Sequence, residues 1–209
     1  MSSSKGNFIT FEGIDGCGKS TQVKMLVEAM NRSNQKTISV REPGGTVISE
    51  EIRQILLHNH LQDICDRTEA LLMTGSRAQL TYQLILPKLN AGINVIADRY
   101  LDSTLAYQGG GRNIKIDWLI KLNEFATYDL EPKATFFIDV LPEEAVRRKS
   151  KEKDRIERAG IELQTRVRKA YLELSNRFQE RFVIIDGHES IDDIHGSILA
   201  ELRRRKLFS

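Results

Sequence analysis

The chain has 209 residues, enough for one α/β domain with a sizeable hydrophobic core. Its 31 basic and 29 acidic residues nearly balance, which argues against a general nucleic-acid-binding protein, so we expect no nucleic-acid partner. No apolar run approaches membrane-spanning length, no signal peptide is recognisable, and Cys17 and Cys65 are too few for a disulfide framework. We therefore expect no membrane partner, and reduced thiols in a cytoplasmic protein.

The first predicted elements are a buried strand over residues 8–11 and an amphipathic helix from about Ser20. The loop between them, GIDGCGKS, matches the pattern G-x-x-x-x-G-K-[ST] in full. In this pattern backbone N–H groups wrap around phosphate oxygens, the lysine reaches the β- and γ-phosphates, and the serine hydroxyl can bind Mg²⁺. The alternative is a glycine turn with an incidental lysine, but the strand–loop–helix context favours an ATP-phosphate site. Its residues are Gly13, Ile14, Asp15, Gly16, Cys17, Gly18, Lys19, Ser20 and Thr21.

Strands and helices alternate along the rest of the chain. Further strands are predicted within KTISVRE, INVIADRY, ATFFIDV and RFVIID. Helices are predicted over about 47–58, 68–89, 117–126 and 159–181, from Pro142 onward, and at the C-terminal end. This alternation predicts an α/β, three-layer fold with a five-stranded parallel sheet flanked by helices. Ligands of such sheets bind outside the carboxyl ends of the strands.

Polar residues follow the predicted strands and should gather at that edge. Asp98 closes the third strand, where a carboxylate beside the phosphate loop can hold Mg²⁺, although an aspartate there is often only a turn residue. Arginines suit a second phosphate group because their planar fork pairs with phosphate bidentately. The candidates are Arg41, Arg53, Arg77 and Arg99. The alternative for each is a salt bridge to an acidic neighbour, and those considered are Glu42, Glu50, Glu51 and Glu69.

The segment RRKSKEKDRIER, at about residues 147–158, is dense in basic residues with acids between them. Most runs of this kind are solvated helix faces or loops. In a phosphate-transfer protein such a segment can instead be a lid that excludes water and places charge on the transferred group. A nucleic-acid patch is a third interpretation, which the interleaved acids and the lack of aromatic residues disfavour.

Several motifs taken together resemble those of bacterial thymidylate kinase. They are FEGIDGCGKST, REPGGT, DRYLDSTLAYQGGGR and DRIE, and the resemblance runs from Phe8 to about Ile198. It implies phosphoryl transfer from ATP–Mg²⁺ to dTMP, giving dTDP for dTTP synthesis. It also implies a P-loop NTPase-like fold, with residues 1–209 as a single nucleoside-monophosphate-kinase-like domain whose lid lies at about 147–158. The family is usually homodimeric, and apolar faces on the helices over 47–58 and 68–89 are the candidate interface.

The resemblance implies roles for individual residues around dTMP. Asp15 resembles the carboxylate that meets the sugar 3′-OH and helps to organise the metal, and Arg99 resembles the arginine that bridges the two phosphate groups. Arg77 resembles the residue that hydrogen-bonds the thymine carbonyl, and Tyr107 the one under the deoxyribose that crowds a ribose 2′-OH. The other implied contacts are the acceptor-phosphate ligand Arg53, the pocket floor at Pro43, often with a cis peptide bond, and the base-edge readers Thr104 and Gln108.

The first departure from the family concerns its catalytic basic residue. One class of the family has that residue in the phosphate loop, where this chain has Gly16, so the charge is expected from the lid. An ungapped count back from DRIE places Ser150 at the position of the lid arginine. Basic residues surround Ser150, and we choose Arg148 and Arg155 as catalytic candidates because a planar fork matches an oxyanion better than an ammonium does.

Met73 is the second departure, because the family usually has a phenylalanine there that stacks on thymine. Methionine can lie against the ring but is less rigid, so we predict weaker stacking; a core methionine is the alternative. Because of Met73 and Thr104, a related nucleoside or nucleotide kinase with another acceptor is an alternative interpretation. A nucleotide-binding scaffold that has lost catalysis is a further alternative. Such a protein is expected to have lost Lys19, Asp98 or Arg99, and all three residues are present.

Overall fold

The computed structural model describes residues 5–58, 63–148, 156 and 160–208 of the chain. Within them, five strands form one sheet in the order β2-β3-β1-β4-β5, and all neighbouring strands run parallel. The strands are β1 (Phe8–Glu12), β2 (Thr37–Arg41), β3 (Asn94–Asp98), β4 (Ala134–Asp139) and β5 (Phe182–Asp186). The five-stranded parallel sheet predicted from the sequence is confirmed.

Helices connect the strands and flank the sheet. They are α1 (Lys19–Arg32), α2 (Val47–His58), α3 (Asp66–Leu80), α4 (Leu86–Asn90), α5 (Leu101–Thr104), α6 (Ile116–Thr127), α7 (Pro142–Arg147), α8 (Gly160–Arg177) and α9 (Ile191–Arg204). Two π-helical segments continue the helices before them, Thr81–Ile85 after α3 and Leu105–Gly111 after α5. The helix predicted over 68–89 therefore contains a π-helical turn. The helical stretch from α5 onward was not predicted, because its three consecutive glycines are poor helix formers.

Burial explains the composition of the strands. The central strands β1, β3 and β4 are buried along almost their whole length and are continuous apolar runs, as parallel sheets covered on both faces require. In the core, the rings of Phe11 and Phe136 stack with centroids 5.3 Å apart, and those of Phe137 and Tyr171 with centroids 5.0 Å apart. Burying one such ring stabilises the fold by roughly 1.5–3 kcal/mol. Among the described helices, none combines the length and the apolar character that a bilayer crossing needs.

The strand register sets the positions of the polar strand ends. Asp98 is level with Phe11 of β1 and with Arg41 of β2. The backbone N–H of Arg99 donates to the carbonyl oxygen of Phe11 at 3.0 Å, which continues the ladder by one residue. The residues that follow β1, β2 and β3 therefore meet at one edge of the sheet, as the sequence predicts.

The Leu105–Gly111 segment packs directly on α8. A Cβ atom at Gly110 would lie 2.3 Å from Cβ of Ala170, and one at Gly111 would lie 2.8 Å from Cδ1 of Leu163. Both distances are shorter than van der Waals contact, so this approach requires glycine. The close packing fixes the π-helical segment, which carries Tyr107 and Gln108, against α8.

Candidate active site

A cavity of about 870 Å³ lies at the carboxyl edge of the sheet and includes the phosphate loop in its lining. β2 and β5 are the two edge strands of the sheet, and β1, which leads into the phosphate loop, lies at its centre. The elements on the β2 side therefore line one side of the phosphate loop, and those on the β5 side line the other. We call one side the α3 end, lined by Met73, Arg77, Thr104 and Gln108. The other side is the α9 end, lined by Arg148, Gly187, Ser190 and Ile191. The volume suits small organic ligands.

The phosphate loop has the backbone that its glycine pattern predicts. The φ angles of Gly13, Gly16 and Gly18 are 141°, 86° and 99°, which L-residues rarely adopt. A Cβ atom at Gly13 would lie 2.7 Å from the carbonyl oxygen of Ile138, so a larger residue does not fit there. Gly18 caps the N-terminus of α1, whose first N–H groups and dipole favour an anion.

Lys19 is buried beneath this loop. Its Nζ donates to the carbonyl oxygens of Gly13 at 3.1 Å and of Ile14 at 2.9 Å. Its ammonium therefore lies within the cradle that the loop forms. Binding to phosphate oxygens requires it to exchange these carbonyls for an anion, which is the stronger acceptor for a cation.

Ser20 and Asp98 form a pair of oxygen donors beside the loop. Ser20 Oγ donates to Asp98 Oδ2 at 2.5 Å, and both residues line the cavity. Hydroxyl and carboxylate oxygens suit Mg²⁺, which usually takes one or two protein ligands and completes its shell with substrate phosphates and water. In the described part of the chain, no three histidine, cysteine or acidic residues gather into a metal site of their own. The two side chains therefore fit a metal ion that arrives with a nucleotide.

Arg99 is held beside the phosphate loop by a fixed set of partners. Its Nη2 donates to Asp15 Oδ1 at 2.6 Å and to the hydroxyl of Tyr107 at 3.1 Å. The Tyr107 hydroxyl in turn donates to Asp15 Oδ2 at 3.2 Å. Burial raises the pKa of Tyr107 well above its usual value, so this hydroxyl keeps its proton. The backbone of Arg99 has φ of 74°, an unfavourable conformation for arginine that these partners maintain.

Glu12 fixes the segment after β3, a role that was not predicted from the sequence. Its buried carboxylate accepts hydrogen bonds from the backbone N–H of Tyr100 at 2.8 Å, from Ser103 Oγ at 2.6 Å and from the Tyr171 hydroxyl at 2.7 Å. Burial raises the pKa of Glu12. An acidic residue that closes an apolar strand was the signal used for Asp98, and the same signal could have identified Glu12.

Arg77 is buried at the α3 end, where four N–H groups of its guanidinium donate hydrogen bonds to protein partners. Nε donates to Glu42 Oε2 at 2.8 Å, and Nη1 donates to Thr104 Oγ1 at 2.8 Å and to Asn123 Oδ1 at 2.7 Å. Nη2 donates to the carbonyl oxygen of Tyr100 at 3.0 Å and lies 2.7 Å from Glu42 Oε2. Arg77 therefore forms the salt bridge of the alternative interpretation, with Glu42, and its contact with a phosphate group stays a prediction. Its contact with thymine likewise stays a prediction.

The residues after β2 shape the floor of the cavity. Burial raises the pKa of Glu42 to about 7, and the Glu42–Pro43 peptide bond is cis, as the resemblance implies. Arg53 Nη1 donates to the carbonyl oxygen of Pro43 at 2.8 Å and lines the cavity. Arg41 pairs with Glu50 through bonds of 3.0 Å, so the salt-bridge alternative also holds for Arg41.

Met73 and Gln108 complete the α3 end. Met73 is partly buried, packs against the core and lines the cavity, so both of its predicted roles agree with its position. Gln108 is buried, and its Nε2 donates to Glu69 Oε1 at 2.9 Å. From the sequence, Glu69 is a candidate partner for an arginine, and its contact with Gln108 was not predicted.

Arg148 lies at the α9 end. Its Nε donates to Glu144 Oε1 at 3.0 Å and its Nη1 donates to the carbonyl oxygen of Gly187 at 2.8 Å. These contacts place it beside the connection between β5 and α9. At the start of α9, the carbonyl oxygen of Ile191 accepts a hydrogen bond from Gln22 Nε2 at 2.8 Å. The other lid candidate, Arg155, lies outside the described residues.

Comparisons with known proteins agree with this geometry. The family model described as thymidylate kinase matches residues 11–198. A thymidylate kinase of Chlorobium phaeobacteroides is 43% identical over 95% of this chain and 95% of its own length. Those of Thermosipho africanus and Kosmotoga olearia are 46% and 45% identical, over 91% and 93% of this chain and 94% of each relative. The chain belongs to the thymidylate kinase family.

Proposed function

We propose that the protein transfers the γ-phosphoryl group of ATP to dTMP and so makes dTDP for dTTP synthesis. The observation that carries this proposal is one cavity in which a phosphate loop with Lys19 lies between two differently built ends. Such a cavity suits two nucleotides whose phosphates meet at the loop. Membership of the thymidylate kinase family supports dTMP as the acceptor.

The two nucleotides occupy opposite ends of the cavity. Because the phosphate loop binds the donor phosphates, an acceptor phosphate in line with them places its own base on the far side of the loop. The α3 end contains buried polar side chains, including Thr104 and Gln108, which can read the edge of a base. We therefore assign thymine to the α3 end and the adenosine of ATP to the α9 end, beside Arg148 and Ile191.

The residues of the site act on charge and orientation. Two anionic substrates repel each other, and cations that face both phosphate groups remove that barrier. Lys19 turns from the carbonyls of its own loop to the donor phosphates. Arg99 needs little reorganisation to bridge both phosphate groups, because Asp15 and Tyr107 already hold its guanidinium. Ser20 and Asp98 would hold Mg²⁺, which would supply further neutralisation of charge on the donor phosphates.

No general base is needed, because the phosphate of dTMP is already an anionic nucleophile. Asp15 therefore orients Arg99 through their 2.6 Å ion pair and takes up no proton from the acceptor. The contacts of Arg148 keep it at the α9 end, so we assign the lid charge over the transferred group to Arg155. Replacing Arg155 with alanine should lower kcat strongly, whereas Arg148→Ala should mainly raise KM for ATP; the reverse pattern would reject this assignment.

We also propose a homodimer that forms through the exposed apolar face of α2, α3 and α6. The side chains in question recur at seven-residue spacing on single helices, as in Ile48 and Ile55 on α2 and Trp118 and Phe125 on α6. Phe125 is 84% exposed, which is unusual for a phenylalanine unless another molecule covers it.

Sedimentation tests this assembly. The unaltered protein should sediment at twice the 23.8 kDa of one chain. Ile55→Glu should give a monomer, and Ile161→Glu on α8, where the isoleucine has the same 45% exposure, should leave the dimer intact. A monomeric unaltered protein, or equal dissociation by both variants, would contradict the proposed interface.

Cellular location and domain organisation extend the proposal. Both cysteines are free, which supports a reducing, cytoplasmic setting, and we propose that residues 1–209 act as one domain. Fractionation of source cells should recover dTMP kinase activity in the cytoplasm, and calorimetry should show one unfolding transition. Activity in a membrane fraction, or two separate transitions, would contradict these assignments.

The acceptor assignment is tested by ADP release from ATP–Mg²⁺ with dTMP, dUMP, dCMP, dGMP, UMP and thymidine at equal concentration. We expect dTMP to give the fastest release, with dTDP as the product. Comparable release with dCMP or dGMP would keep the kinase but overturn the assignment of the α3 end. Binding of ATP without release in the presence of any acceptor would overturn the proposed reaction.

A further inference from the structure

Glu69 lies one helical turn before Met73 and two turns before Arg77, so all three residues share one face of α3. The exposed fraction of its side chain is 2%. Its carboxylate accepts a hydrogen bond from Gln108 Nε2 at 2.9 Å and two from Arg112, through Nε and Nη2, at 3.3 Å each. Glu69 therefore contacts the cavity-lining residue Gln108, and the guanidinium of Arg112 neutralises the negative charge of the Glu69 carboxylate.

This contact fixes the direction of the Gln108 amide. A primary amide has one donating end and one accepting end, whereas an ionised carboxylate only accepts. The NH₂ group of Gln108 must therefore face Glu69, and its carbonyl oxygen faces the other way. Among the described residues, the structure gives the Gln108 side chain no hydrogen bond besides the one to Glu69. Since Gln108 lines the cavity, Oε1 is the atom that it offers to a ligand.

We propose that Glu69 is a positioning residue that sets the base selectivity of the acceptor site. By holding the NH₂ group of Gln108, it presents Oε1 as an acceptor to the ring N–H of thymine or uracil. Cytosine carries an unprotonated ring nitrogen at the same position, so two acceptors would oppose each other. Buried groups that lose their hydrogen bond in this way discriminate strongly between ligands. The inference rests on the proposed placement of the acceptor base at the α3 end.

The variant Glu69→Gln tests this role with almost no change in size. Its amide both donates and accepts, so the amide of Gln108 can reverse and offer its NH₂ group to cytosine. We expect the ratio of kcat/KM for dTMP to that for dCMP to fall by about tenfold, as one mismatched buried hydrogen bond predicts. The change should come mainly from KM, with kcat for dTMP within about twofold. The dTMP-to-dUMP ratio should stay constant, because both bases carry the ring N–H.

Arg112→Lys is the matched control. It removes the guanidinium hydrogen bonds to Glu69 but keeps a cation beside the buried carboxylate, which therefore stays ionised and still accepts from Gln108. We expect its dTMP-to-dCMP ratio to equal that of the unaltered enzyme. An unchanged ratio in active Glu69→Gln enzyme, or an equal fall in Arg112→Lys, would overturn the role of Glu69. Failure of the unaltered enzyme to phosphorylate dTMP would instead overturn the proposed function.

A measurement on the unaltered enzyme keeps the inference testable if Glu69→Gln does not fold. In its complex with dTMP, the Nε2 protons of Gln108 should show nuclear Overhauser contacts with the methylene protons of Glu69. Contacts of these amide protons with the thymine ring N–H, and none with Glu69, would show the opposite orientation and refute the inference.

Discussion

The two ends of the cavity hold their polar groups in different ways. At the α3 end, the exposed fractions of Arg77 and Gln108 are 2% and 1%, and their hydrogen-bond partners are buried side chains and backbone. At the α9 end, Arg148 is 33% exposed and bonds to Glu144, which is itself 29% exposed, and to one backbone carbonyl. Buried, fully paired groups keep one geometry, whereas exposed ion pairs contribute little energy and reorganise easily.

This difference suggests where selectivity comes from. The α3 end presents fixed donors and acceptors, and a base with the wrong pattern leaves a buried group unpaired. The α9 end has fewer fixed groups, so ATP is held largely through its phosphates by the loop around Lys19. We therefore expect changes at the α3 end to affect acceptor choice and folding, and changes near the loop to affect transfer.

The largest expected effect is a loss of phosphoryl transfer without a loss of thermal stability, produced by a change in the phosphate loop. Lys19→Ala removes the cation that faces the donor phosphates, so kcat should fall by about a hundred- to a thousandfold, as for other lost charge-stabilising groups. The thermal midpoint should change little, because the partners of Nζ among the described residues are carbonyls and the Cys17 sulfur of its own loop. Turnover within tenfold of the unaltered enzyme would remove Lys19 from the mechanism.

The next effect compares a buried arginine with an exposed one. Arg77→Met leaves the buried carboxylate of Glu42 without its cation and should lower the free energy of unfolding by about 3–5 kcal/mol. Arg41→Met breaks the exposed pair with Glu50 and should cost at most about 1 kcal/mol. Urea unfolding measures both values. Equal losses would show that the buried network does not stabilise the α3 end as described.

The pH dependence of stability tests the burial of Glu42. Its pKa of about 7 lies above the ordinary value of 4.5, so the folded chain binds this proton more tightly than the unfolded chain. The unfolding free energy should therefore decrease as pH rises from 4.5 to 7, by up to about 3 kcal/mol from this group alone. Glu42→Gln keeps the contact with Arg77 but cannot titrate.

The comparison uses urea unfolding of both proteins between pH 5 and pH 8. The stability of the unaltered protein relative to Glu42→Gln should increase as the pH falls through 7. The other titrating groups are common to both proteins and cancel in this difference. A difference that does not vary with pH would show that Glu42 has an ordinary pKa.

The smallest effect concerns Met73. In the variant Met73→Phe, a rigid ring can stack on the base, which contributes about 0.5–1.5 kcal/mol beyond area burial. The affinity for dTMP should rise by about two- to tenfold, with KM for ATP unchanged. Titration calorimetry measures the affinity of both proteins for dTMP. A lower affinity would indicate that Met73 is a core residue without space for a ring, as the alternative interpretation holds.

The sequence was sufficient for the features that depend on local patterns. The phosphate loop is a continuous motif whose glycines have the positive φ angles that the motif requires. Asp98 could be placed beside Ser20, 78 residues away, because parallel strands bring their carboxyl ends to one edge of the sheet. Neither inference needs knowledge of how side chains pack.

The sequence was insufficient where distant side chains choose between partners. Arg77 bonds to residues 35, 27 and 46 positions away, and a single sequence does not show which acidic or amide group lies opposite. The same holds for Glu69 and Gln108, which are 39 positions apart. Burial decides whether an arginine at the sheet edge binds an acid of the protein or a phosphate, and burial is known only from the packed structure.

Nucleotide binding by two variants tests most directly the claim that each end takes one nucleotide. Titration calorimetry would measure ATP and dTMP binding to Lys19→Ala and to Gln108→Leu. We predict that Lys19→Ala binds ATP at least about tenfold more weakly and dTMP within about twofold of the unaltered protein. Gln108→Leu should show the reverse. Equal weakening of both nucleotides by both variants, or loss of dTMP binding in Lys19→Ala, would contradict the division of the cavity.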